Sequence, residues 1–97
     1  MLEDSAAGLG WLRAHDRQHG VATDRMVLAG HSAGAYNAVM LALDPQWLQA
    51  AGVPQAAVAG VAGLAGPYDF FPFISDSARN ALGHAAPPAR TQPIAFA

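Results

Sequence analysis

Gly30-His31-Ser32-Ala33-Gly34 sets one serine between two glycines, each two residues away. An apolar run, Met26-Val27-Leu28-Ala29, precedes it, and the apolar stretch Ala35 to Leu43 follows. A serine on a sharp strand-to-helix turn has its hydroxyl lifted clear of the sheet, where it can attack a carbonyl. Such a turn presses the residues two before and two after against each other's backbones, so Gly30 and Gly34 are both expected to be needed without side chains. The N–H of Ala33 follows the serine at the amino end of the helix. Unpaired donors there favour a developing negative charge, so Ala33 is the expected oxyanion donor. Ser32 is the expected nucleophile. The competing reading, a phosphate-binding turn, lacks a Walker lysine, because the chain has no lysine, and shows no G-x-G-x-x-G.

Other chemistry-bearing side chains form weaker patterns. Asp69 and His84 follow Ser32 in the order serine, acid, histidine, which allows a local triad. Only 14 residues separate those two, however, with the run Phe70-Phe71-Pro72-Phe73 and a helix between them. Asp69 therefore reads better as a cap or brace of the loop after the second strand, and His84 as an exposed loop residue. His31 is expected to pack beneath the turn. His15 and His19 stand four apart on one helix, a spacing that can bind metal, but no third ligand clusters with them and no metal site is expected. Trp11, Trp47 and Tyr36 read as core or shoulder packing. Tyr68 and Phe70–Phe73 read as plain core or, alternatively, as the lining of a pocket.

The elements that must hold these residues follow from periodicity and punctuation. A first helix is expected over Ser5 to His19, capped by Asp4 or Ser5 and stopped by Gly20. Leu2, Ala6, Leu9 and Leu12 fall on one face of it. Unbroken apolar strands at Met26–Ala29 and Ala57–Leu64 suit a parallel pair buried on both faces. Asp44-Pro45 reads as cap and first residue of a short helix ending at Gly52, and Ser75 to Leu82 as a further helix. Strand, turn, helix, strand is one parallel βαβ unit, an α/β fold class.

Composition narrows the function classes. With 97 residues, 53% hydrophobic and 12% charged, the chain reads as one packed unit rather than a disordered one. Its formal charge of −2 gives no field for nucleic acid, and the longest apolar, Gly and Pro run, Ala56 to Tyr68, is 13 residues, short of a membrane span. The absence of cysteine excludes disulfides and thiolate metal sites.

The stretch Thr23 to Ala35 resembles the core block of α/β-hydrolase esterases. His31-Ser32-Ala33-Gly34-Ala35-Tyr36-Asn37-Ala38, Gly63-Leu64-Ala65-Gly66-Pro67-Tyr68-Asp69-Phe70 and Thr91-Gln92-Pro93-Ile94 are together similar to the feruloyl/acetyl-esterase-like branch, related to carboxylesterases and kynurenine formamidase. The resemblance implies a serine esterase that acts on a small-molecule ester without a cofactor. A formamidase or peptidase on the same scaffold, or a non-catalytic remnant, are the alternatives. It also implies that residues 1–97 are a partial α/β-hydrolase domain. An HGG-type oxyanion loop would lie upstream of Leu2, and the catalytic acid and histidine downstream of Ala97. A partial sheet is expected to leave Met26, Val27, Val58 and Val61 uncovered.

Overall fold

Met26–His31 forms strand β1 and Val58–Leu64 forms strand β2, and the two pair in parallel. The computed structural model describes residues 1–69 and 88–97; the expected helix at Ser75–Leu82, the Phe70–Phe73 run and His84 lie outside the described residues. Register runs Val27 to Gly60, Leu28 to Val61, Ala29 to Ala62, Gly30 to Gly63 and His31 to Leu64, with an irregularity between Met26 and Val27. Between the strands comes helix α3, Ala33–Leu43, then helix α4, Pro45–Ala50. Helix α1, Leu2–Ala14, and the one-turn helix α2, Asp16–His19, precede β1. Short 3₁₀ turns lie at Gln55–Ala57, Pro88–Thr91 and Pro93–Phe96. The architecture is the α/β unit expected from the sequence.

Alpha-helical boundaries differ at the amino end. α1 starts three residues before the expected Ser5, because the Ser5 hydroxyl donates back to the Met1 carbonyl at 3.2 Å instead of capping. Glu3 and Asp4 then occupy the first turn, where the helix dipole favours acids. The helix breaks at His15, and only the short α2 reaches Gly20, which takes the left-handed conformation (φ 67°) that stops it. At α4 the expected cap is present: the Asp44 carboxylate accepts from the Gln46 backbone N–H at 3.3 Å, with Pro45 at the first position. This helix ends at Ala50, two residues earlier than expected, and Gly52 follows at φ 73°.

The core gathers α1, α3, α4 and one face of the strand pair. Leu2, Ala6, Met26, Tyr36, Met40, Leu41, Leu48, Val53 and Ala57 are buried together, with Leu9, Leu28, Trp47 and Phe96 packed against them. Burial alternates along β1, so the expectation of strands covered on both faces is not met. The reason is one-sided packing: α3 lies over Leu28 and Gly30, while Val27 (68% exposed), Ala29 and Leu64 (62%) point the other way. Val61 is also exposed, but Met26 is buried and Val58 partly so, against the expectation for those two. Trp11, expected to pack, is instead 54% exposed and stacks on His15 with ring centroids 4.1 Å apart. Among the described residues, no helix is long and apolar enough to cross a membrane.

Candidate active site

β1 and α3 meet at a single residue, Ser32. Its φ of 55° and ψ of −118° lie where a non-glycine residue is strained, at a cost of order 1–3 kcal/mol. Two backbone bonds hold it there. The Ser32 N–H donates to the Leu64 carbonyl at 2.9 Å, continuing the strand ladder, and the Tyr36 N–H donates to the Ser32 carbonyl at 3.2 Å, opening the helix. The side chain makes no capping bond to α3, and the residue is exposed. The hydroxyl therefore stands at the surface, at the carboxyl end of a parallel strand. In open α/β sheets that is where ligands bind.

Ala33 is the first residue of α3 and is exposed. Its N–H precedes the first intrahelical bond and is among the donors that a helix leaves unpaired at its start. The first turn of α3 holds no acidic residue, so the helix itself brings no carboxylate to the positive end of its dipole beside Ser32.

The two glycines are not equivalent. A Cβ placed on Gly30 would overlap the Gly34 carbonyl group and lie 2.7 Å from the Ala35 nitrogen. Among the described residues, a Cβ on Gly34 would meet no heavy atom within 4 Å, so the clash expected with the Gly30 backbone is absent. The tight approach is of the Gly34 backbone onto Gly30, and only the residue beneath must lack a side chain. Gly30 also pairs with Gly63, where a Cβ would overlap the Tyr68 hydroxyl and stand 2.9 Å from Val39 of α3. Two glycines side by side thus make room on the sheet, one for the start of α3 and the other for Tyr68.

The remaining candidates separate. His31 is exposed at the last position of β1 instead of packed beneath the turn, since it shares the uncovered face with Leu64. Asp69 is exposed in a bend past β2, and the pairing with His84 lies outside the described residues. His15 Nδ1 pairs with the Trp11 carbonyl at 2.8 Å, and His19 lies 5.6 Å from the Trp11 ring. Among the described residues, no group of three potential ligands could hold a metal ion. Tyr68 is half-buried, its hydroxyl without a hydrogen-bond partner among the described residues and its ring in the slot left open by Gly63 and Gly66.

Two features escape the sequence reading. Ala65, next after the Leu64 whose carbonyl holds Ser32, has φ 54°, so strained non-glycine residues follow directly on both strands. Nothing about alanine signals this. Tyr36, read as packing, is buried at 3% exposure but also donates its hydroxyl to the Thr91 carbonyl at 2.8 Å, a partner 55 positions away. Burial, with the Asp44 carboxylate adding to it, pushes this phenol from 10.0 up to about 12. From pH 10.0 upward the unfolded chain loses that proton while the folded chain keeps it. The stabilisation is whole below pH 10.0 and is lost as pH rises to about 12. Tyr36→Phe should flatten the alkaline fall in urea midpoint over that interval; an unaltered slope would show that the phenol is not what titrates.

One family model, BD-FAE, matches residues 1–90. No curated protein and no solved structure matches the chain.

Proposed function

Because the chain belongs to the BD-FAE family, an α/β-hydrolase-type, feruloyl-esterase-like domain, we propose that it serves a carboxylic-ester hydrolase working through an acyl-serine intermediate on Ser32. The single observation that carries this reading is the strained Ser32 at the β1–α3 junction, exposed and uncommitted as a cap. A serine that only started a helix would sit in extended backbone and cap it. Backbone strain kept at an exposed hydroxyl is the arrangement that nucleophilic attack requires.

In this reading Ser32 Oγ adds to the carbonyl carbon of a small-molecule ester while a histidine base takes its proton. By the resemblance, that histidine would follow an eighth strand of the sheet. The tetrahedral oxyanion faces the Ala33 N–H and the amino end of α3. Collapse breaks the carbon–oxygen bond to the alcohol, which leaves with the proton, and water then releases the acid from Ser32 by the same route reversed. Asp69 and His84 have no part in these steps.

An organophosphonate ester reports the nucleophile directly, because it stops at the phosphonylated serine. Incubation with the protein followed by peptide mass mapping should place the label on Ser32 alone. Label on Ser5, Ser75 or Ser77, or equal labelling after Ser32→Ala, would overturn the assignment.

A further inference from the structure

Four hydrogen bonds close a ring that begins and ends at Ser32. The Ser32 carbonyl accepts from Tyr36 N–H at 3.2 Å, and the Tyr36 hydroxyl donates to the Thr91 carbonyl at 2.8 Å. The chain then runs from Thr91 to Ile94, whose N–H donates to the Tyr68 carbonyl at 3.0 Å. From Tyr68 the backbone returns through Ala65, at φ 54°, to Leu64, whose carbonyl accepts the Ser32 N–H at 2.9 Å. The turn from Ala65 to Asp69 therefore stands beside Ser32 and is held on its far side by the carboxyl-terminal segment.

That segment is itself seated. Thr91, Gln92 and Pro93 are buried, Gln92 Nε2 donates to Thr91 Oγ1 at 2.8 Å, and Phe96 packs against the core. Of the four ring bonds, three are backbone to backbone and form with almost any side chain. The fourth depends on one hydroxyl. It links α3, which carries the serine, to the strap that positions the turn after β2.

The geometry points to Tyr36 as a positioning residue for the ester hydrolysis proposed above: its hydroxyl fixes residues 91–96 against α3 and so sets where the Ala65–Asp69 turn stands relative to Ser32. The inference rests on the reading of Ser32 as nucleophile. It assigns Tyr36 no contact with substrate. The backbone N–H of Tyr36 holds the serine whatever the side chain, so loss of the hydroxyl leaves the nucleophile in place and loosens only the neighbouring turn. Binding of the ester should suffer, and the chemical step should not.

Tyr36→Phe keeps the ring in the core and removes the hydroxyl alone. The expected result is a rise in KM of about fivefold, the size of one ordinary hydrogen bond, with kcat within about twofold. In the same variant, amide exchange at Ile94 should quicken about fivefold while Ser32 stays as protected as before. A lower melting temperature with KM unchanged would mean a merely structural role and overturn the proposal. So would a collapse of kcat at constant KM, which would put Tyr36 on the nucleophile. Absence of Ser32-dependent turnover in the unaltered protein would instead overturn the esterase reading, and the catalytic half of this inference with it. The exchange data would still decide whether the ring exists. Should Tyr36→Phe fail to fold, exchange in the unaltered protein decides: one shared opening rate for Ile94 and Ser32 supports the ring, and a tenfold faster Ile94 overturns it.

Discussion

Ser32→Ala is expected to abolish ester hydrolysis by the protein, lowering kcat at least about 10⁴-fold, with the fold intact. What survives loss of a nucleophilic serine is the effect of the oxyanion donors and of binding, and here Ala33 N–H is the one donor assigned. The alanine should not unfold the chain. Its backbone must keep φ 55° and ψ −118°, which alanine bears as serine does, since each carries a single Cβ with one heavy-atom branch or none. Ser32→Gly sharpens the test. Glycine adopts a positive φ freely, so the strain at this position should be relieved and the variant should be more stable by about 1 kcal/mol. It should be equally inactive. A serine that was kept for packing would behave the other way, with both variants active. Turnover of a p-nitrophenyl ester and urea midpoints for the three proteins separate the cases. Full activity in either variant ends the nucleophile assignment.

The parts of this architecture that the sequence discloses are those decided by local chemistry. Asp44-Pro45 starts α4 because a carboxylate and a proline each solve a problem of the first helical turn within two residues. Gly20 ends α2 because few other residues tolerate φ 67°. The parallel pairing of β1 with β2 follows from two apolar runs separated by a helix. What the sequence conceals depends on neighbours far along the chain. Trp11 is a large apolar side chain on a helix, yet it lies outside the buried face set by Leu2 and Ala6, and hydropathy says nothing about which turn of α1 the core reaches. The run at Val27 reads as buried on both sides, but its exposure is set by α3 covering only the Leu28 face. The Tyr36 hydroxyl meets Thr91 across 55 positions, and no pattern of spacing encodes that bond. The candidate site divides in the same way. Its serine, its glycines and the helix start lie within five consecutive residues, whereas the turn beside it is brought there by the strand register and the carboxyl-terminal strap.

Gly30→Ala should be severely destabilising and Gly34→Ala should not, although the motif presents the two glycines as a symmetric pair. The added methyl at Gly30 overlaps the Gly34 carbonyl group and crowds the Ala35 nitrogen, both backbone, so no side chain can rotate to make room. Either α3 lifts from β1 or the strand bows away. Lifting α3 strains the Ser32 carbonyl bond to Tyr36 N–H; bowing β1 strains the ladder bond from Ser32 N–H to Leu64. Overpacking against rigid neighbours costs about 1–3 kcal/mol, and backbone-on-backbone overlap belongs at or above the top of that range. At Gly34 the methyl meets none of the described residues within 4 Å and stands on the first turn of a helix, where alanine is preferred to glycine by up to about 1 kcal/mol. The urea midpoint of Gly34→Ala should therefore be equal to or above that of the unaltered chain, while that of Gly30→Ala falls far below it or no cooperative transition remains. Equal losses at the two positions would mean that Gly34, not only Gly30, meets a wall. A stable Gly30→Ala would mean that β1 and α3 do not approach as closely as the strained serine between them demands.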